Sequence, residues 1–105
     1  MAHITGSGIP GNLNRFLPEA TDAAIDAYKI RILPIFKMMK RESGNDDADM
    51  IRTFNLGVGL TLVVDRASAK HVMAHLRTHA VDCYPIGTIV AKGKRSVRME
   101  GKLRW

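Results

Sequence analysis

One cysteine, Cys83, stands alone in 105 residues, so no internal disulfide can form and the chain reads as cytoplasmic, a protein of a reducing compartment. Aromatic residues make up only 6%, with Trp105 the single tryptophan, which leaves little surface for stacking bases. No apolar run approaches the ~18 residues of a membrane span, because Lys37, Asp65 and glycines interrupt the longest candidates. The first residues lack a basic flank followed by an apolar block, so no secretory signal is read there. Acidic residues are also few. Ten Asp and Glu face sixteen Lys and Arg, a net charge of +6.

What is present is ordinary for one small globular domain: 46% hydrophobic and 25% charged residues, with no repeat or linker that would split the chain. The positive excess is uneven. Lys92, Lys94, Arg95, Arg98, Lys102 and Arg104 fall near the C-terminus against a single Glu100. Such a tail can meet a polyanion, or it can be a solvated terminal hairpin with surplus surface charge.

Periodicity organises the rest. A short helical turn is expected over Asn12–Phe16, stopped by Pro18, and a strand over Ala23–Ile30. Ile32, Ile35, Phe36 and Met39 fall on one face of a helix over Leu33–Arg41, with Pro34 in its first turn and Gly44 at its end. Asp46 and Asp47 offer caps for a second short helix through Met50, Ile51 and Phe54. The run Val58–Val64 is apolar on both faces, the pattern of a central buried strand. Asp65 can cap a following helix striped by Ala69, Val72, Met73, Leu76 and Ala80. Tyr84–Ala91 reads as a strand, and Gly93 as the turn of a hairpin into Val97–Glu100. The expected class is α+β, a small mixed or antiparallel sheet with helices on one face.

Three constellations bear on chemistry. Gly6-Ser7-Gly8-Ile9-Pro10-Gly11 has the spacing of a dinucleotide fingerprint, yet no strand is expected before it, Pro10 interrupts the helix entry and no βαβ unit follows. The same backbone amides can still cradle an anion, or the segment can be a flexible turn. His71, His75 and His79 recur one turn apart, with Cys83 four residues on. Two imidazoles at that spacing can share a zinc ion, but no acid stands between them as a base. They also flank an apolar stripe, where half-exposed histidines are common, and no metal site is assigned. Cys83 itself reads as a core residue rather than a nucleophile. In Arg52–Gly59, a guanidinium, a hydroxyl and a carboxamide end a helix just before the apolar run. Arginine suits bidentate phosphate or carboxylate contact, while the plainer reading is a helix-end Arg with glycines packed beneath a neighbour.

These segments also occur in a telling order. Ala2-His3-Ile4-Thr5-Gly6, Asn12, Arg15, Leu17-Pro18, Pro34-Ile35-Phe36, Met50, Arg52–Gly59, Val63-Val64 and Ile86-Gly87 follow one another along the chain. Together they closely resemble the C-terminal region of the phosphoribosylformylglycinamidine cyclo-ligase family (aminoimidazole ribonucleotide synthetases), from Met1 to about Val97. The resemblance implies an enzyme of purine biosynthesis that uses ATP and Mg2+ to close the imidazole ring of formylglycinamidine ribonucleotide. Its products are aminoimidazole ribonucleotide, ADP and phosphate, and its members are homodimers. It implies that Thr5, Gly6, Ser7 and Gly8 belong to a ligand-facing loop for substrate or phosphate, supported by Arg52 and Asn55. Residues 1–105 then correspond to part of a C-terminal domain, without the N-terminal ATP-binding domain. The isolated chain is accordingly expected to be inactive and to hold neither ATP nor Mg2+ alone. The family usually carries Thr-Gly-Gly-Gly where this chain has Thr5-Gly6-Ser7-Gly8, and Glu-Asn where it has Gly11-Asn12. The competing expectation is a stand-alone nucleotide- or nucleic-acid-binding module using the glycine loop and the basic tail.

Overall fold

In the computed structural model, which describes residues 1–93 and 97–105, the class is α+β as expected, built on two small sheets. Lys94 and Arg95 of the basic tail lie outside the described residues. Strand β1 (Ala2–His3) pairs antiparallel with β3 (Leu60–Thr61). The second sheet has the order β4 (Gly87–Ala91), β2 (Thr21–Asp26), β5 (Val97–Glu100). Its central strand runs antiparallel to β4 and parallel to β5.

That order corrects the expected hairpin. Val97–Glu100 forms a strand as its alternation predicts, but it pairs with β2, not β4. The cause lies at Gly93 and Asp22. The Gly93 N–H donates to Asp22 Oδ2 at 2.7 Å, and Arg98 Nε stands 3.9 Å from the same oxygen. Asp22 is wholly buried, and burial of a carboxylate is costly without donors. Oδ2 has the Gly93 N–H, while Oδ1 has no hydrogen-bond donor among the described residues. The chain leaving β4 supplies the Gly93 donor as it passes the end of β2.

Helices α1 (Gly8–Leu13), α2 (Pro34–Ser43) and α3 (Asp47–Thr53) send Ile9, Leu13, Phe36, Met39 and Met50 into one core with Ala23 and Ile25 of β2. Helix α1 starts earlier than expected and continues into a 3-10 turn over Asn14–Phe16. Pro10 does not interrupt its entry. It sits in the first turn, where an amide would have no helical partner anyway. Helix α2 begins at Pro34 and ends where Gly44 turns left-handed, as its signals predict. In α3 the Asp46 carboxylate accepts from Asp49 N–H at 2.9 Å, a side-chain cap of the expected kind. Strand β2 stops at Asp26, short of Ile30, because Ala27–Lys29 wind into a 3-10 turn that the Asp26 side chain caps through Tyr28 N–H.

The largest departure lies at Val58–Val64. Val58 is buried, but only Leu60 and Thr61 pair as strand, and Leu60, Leu62, Val63 and Val64 are 52%, 41%, 47% and 42% exposed. A run apolar on both faces needs cover on both, and among the described residues its strand partner is the two-residue β1. Helix α4 (Arg66–Thr78) follows the same trend: Ala69, Val72, Met73 and Leu76 are only half-buried, and the helix has no fully buried residue. Asp65 precedes it without capping it by side chain. Ala80 does not continue the stripe. At φ +60 it closes the helix in a Schellman motif, with Ala80 N–H bonded to Arg77 O and Val81 N–H to Leu76 O, both at 3.0 Å.

The C-terminus folds back as a strap. Leu103 is buried, Arg104 Nε donates to Tyr28 O at 2.9 Å with its guanidinium over the Tyr28 ring, and Trp105 Nε1 donates to Asp47 Oδ1 at 2.7 Å. Among the described residues no helix is long and apolar enough to cross a membrane.

Candidate functional site

The glycine loop is held between two elements. Ile4 N–H donates to Gly59 O at 2.9 Å, which fixes the chain before Thr5. Beyond it, Ser7 at φ +81 and Gly8 at φ +65 turn the chain left-handed into α1. At Gly8 the requirement for glycine is double. Its φ disfavours a side chain, and a Cβ there would overlap the carbonyl of Ile51 in α3. The loop therefore docks onto the end of α3 through bare backbone. β1 does precede the loop as a strand, but it pairs antiparallel with β3, so no dinucleotide-type βαβ unit surrounds the fingerprint spacing.

A cleft of about 410 Å³ lies where α1, α3 and β5 meet, lined by Ser7, Pro10, Gly11, Ile51, Arg52 and Met99 among others. It brings two of the expected residues together: Ser7 from the loop and Arg52 from α3. The Arg52 side chain is 70% exposed and pairs with Asp49 one turn earlier. An exposed pair of this kind is worth at most ~1 kcal/mol, so it holds the guanidinium only weakly against a stronger anionic partner. Gly6 is exposed with open space around it. Among the described residues, neither Gly6 N–H nor Ser7 N–H has an intrachain acceptor. The cleft surface itself is largely apolar; the groups suited to an oxyanion are the Ser7 hydroxyl and Arg52 guanidinium among its lining residues and the unbonded Gly6 and Ser7 N–H groups of the adjoining loop.

Thr5 and Asn55 instead direct their side-chain hydrogen bonds to the chain itself. Thr5 Oγ1 donates to Asn12 Oδ1 at 3.3 Å. Asn55 Nδ2 donates to Ile4 O at 3.3 Å while its Oδ1 accepts from Gly57 N–H at 2.9 Å, so this residue ties the turn after α3 to the strand before the loop. Gly57 earns its place by close approach: at φ +109, a Cβ would stand 2.7 Å from Leu33 Cγ. Gly59 meets nothing within 4 Å and only lends its carbonyl to Ile4.

Sequence reasoning did not single out Met99 or Asn12 as site residues. Met99 reaches the cleft only because β5 pairs with β2, which no local signal announces. Asn12 is buried at 3% exposure beneath the loop, and a polar residue four positions after Gly8 was the available hint. The histidines form no centre. His75 and His79 touch edge-on with ring centroids 4.7 Å apart, His71 is exposed, and among the described residues no three His, Cys, Asp or Glu side chains converge as a metal site. Cys83 is half-buried, its thiol 3.6 Å from Met73 O.

With this geometry in hand, the class of protein follows from comparison. Residues 1–100 match the family described as AIR synthase related protein, C-terminal domain, and the chain belongs to that family. Among its relatives, the phosphoribosylformylglycinamidine cyclo-ligase of Nitrosococcus oceani is 39% identical over 86% of this chain and 25% of its own length. The cyclo-ligase of Staphylococcus carnosus is 36% identical over 96% of this chain and 29% of its own. The human trifunctional purine biosynthetic protein adenosine-3 is 36% identical over 96% of this chain and 10% of its own. The chain therefore spans less than a third of the length of these relatives.

Proposed function

We propose that this chain serves as part of the C-terminal domain of an ATP-dependent cyclo-ligase of purine biosynthesis, a cytoplasmic enzyme. In this reading the whole enzyme closes the imidazole ring of formylglycinamidine ribonucleotide, releasing aminoimidazole ribonucleotide, ADP and phosphate. The observation that carries it is the family match over residues 1–100, joined to 36–39% identity with relatives named as cyclo-ligases.

Within that enzyme the loop Thr5–Gly8 faces the ribonucleotide. Gly6 and Ser7 N–H groups and the Arg52 guanidinium bind oxyanion groups, while Thr5, Gly8 and Asn55 hold the loop in place. These donors orient the substrate and offset its negative charge, and such pre-placement lowers the cost of bringing reacting groups together. ATP supplies the activation of the formyl oxygen. In this reading ATP and its Mg2+ are held by the N-terminal domain of the whole enzyme, and no residue of this chain is assigned to the metal. Isolated, the chain is inactive and dimerises through the exposed apolar segment Leu60–Val64.

Support for a nucleic-acid module is weaker. Arg98 and Arg104 of the basic tail are turned toward Asp22 and Tyr28, and Trp105 toward Asp47, so the tail offers less free charge and stacking surface than its composition suggests.

A chimera tests the reading. The segment of the Nitrosococcus oceani cyclo-ligase that aligns with this chain is replaced by residues 1–105, and ring closure is assayed with substrate, ATP and Mg2+. Activity within about tenfold of the parent is expected. A folded, soluble chimera that binds ATP but gives no product would refute the proposal.

A further inference from the structure

The loop contains three glycines, yet its conformation is not left to them. Asn12 lies beneath it, and its carboxamide nitrogen reaches three loop carbonyls: Thr5 O at 3.3 Å, Gly6 O at 2.9 Å and Gly8 O at 2.8 Å. Its Oδ1 accepts from Thr5 Oγ1. Every polar atom of the side chain is thus spent on residues 5–8.

We propose that Asn12 is the positioning residue of the ligand loop: by drawing the carbonyls of Thr5, Gly6 and Gly8 inward, it turns the Gly6 and Ser7 N–H groups out toward the cleft. The inference rests on the cyclo-ligase reading of that loop. The chemistry admits few substitutes. A carboxylate at this position would set negative charge against three carbonyl oxygens, and an aliphatic side chain would leave three inward carbonyls without a donor. A carboxamide sets two N–H donors on one nitrogen beside an acceptor oxygen, which a hydroxyl or imidazole does not, and glutamine would carry it one methylene too far. The clamp also explains how Ser7, a residue with a Cβ, is kept left-handed at φ +81. The carbonyls on either side of Ser7, those of Gly6 and Gly8, are its two shortest bonds.

The experiment compares the chain with its Asn12→Asp and Asn12→Leu variants by nuclear magnetic resonance. As a control, Ile30→Val loosens the core away from the loop. Two quantities are read well below the melting temperatures: the backbone carbon shifts of Ser7, which report its left-handed conformation, and the movement of the Gly6 and Ser7 amide resonances on titration with ribose 5-phosphate. Both Asn12 variants are expected to lose the left-handed Ser7 shifts and to bind ribose 5-phosphate at least tenfold more weakly, while Ile30→Val keeps both. Unchanged Ser7 shifts in both Asn12 variants would overturn the proposal. So would a loss of binding in Ile30→Val equal to that in the Asn12 variants, since the role would then be only structural. If the unaltered chain fails to bind ribose 5-phosphate, the ligand-loop reading falls, and the Ser7 shifts still decide whether Asn12 sets the loop. Variants that fail to fold at all would overturn the specific role in favour of general stability.

Discussion

Two stretches of this chain meet opposite fates, and the more apolar of the two is the less buried. From Ala2 to Thr61, Ile4, Ile9, Leu13, Ile25, Ile30, Met50 and Leu56 close into one core. From Leu62 to Ala91 no apolar residue is fully buried, although Leu62–Val64 and the α4 stripe read as strongly patterned for burial. Patterning states which face wants cover; it does not provide the cover. In the first stretch α1, α3 and the sheet pack on each other through Gly8 and Met50. In the second, Leu62–Val64 join no strand among the described residues, and α4 keeps its stripe half open.

Substitutions can break that comparison, and the largest effect should come from the core. Met50→Ala removes a wholly buried side chain and should cost ~2–5 kcal/mol in chemical denaturation, with Val63→Ala costing well under ~1 kcal/mol. Equal losses at the two sites would mean that Leu62–Val64 is covered in solution. Next comes Gly8→Ala, which adds a left-handed penalty to a backbone overlap with Ile51 and should cost ~2 kcal/mol or more. A melting temperature unchanged by that substitution would show that the loop does not dock on α3.

A smaller and more informative effect concerns Ser7 and Gly11. A Cβ on Gly11 would stand 2.5 Å from Ser7 Cβ, so only one of the two positions has room for a side chain. Gly11→Ala should destabilise by ~1–3 kcal/mol, and adding Ser7→Gly should recover most of the steric part. This couples the two departures from the usual family pattern, a serine at 7 and a glycine at 11. Additive effects in the double-mutant cycle would dissolve the coupling. The smallest change in stability is expected from Val63→Thr with Leu62→Thr, within about 1 kcal/mol, while sedimentation is expected to show self-association of the unaltered chain and its weakening at least severalfold in this variant. A monomer in the unaltered chain would refute the proposed self-association, and unaltered affinity in the variant would move its surface elsewhere.

Much of the secondary structure was available from local signals. Pro34 and Gly44 bound α2, Asp46 caps α3, and the alternation of Val97–Glu100 does mark a strand. The failures share a cause. The hairpin at Gly93 and the buried strand at Val58–Val64 were inferences about partners drawn from residues that carry only their own preferences. Of the expected site residues, Ser7 and Arg52 share a cleft, while Thr5 and Asn55 spend their side chains on the scaffold, a division that residue type alone does not disclose.

By itself, then, the sequence determined the bounds of α2, the cap of α3, the α+β class and the family, because caps, periodicity and ordered motifs are local properties of the chain. Only the tertiary structure decided that β5 lies beside β2, that Met99 and Arg52 meet Ser7 at one cleft, and that Asn12 lies under the loop. Those outcomes depend on a buried carboxylate finding a donor at Gly93 and on backbone approaching backbone at Gly8. Each is a contact between distant residues, whose energy exists only once both sides are in place.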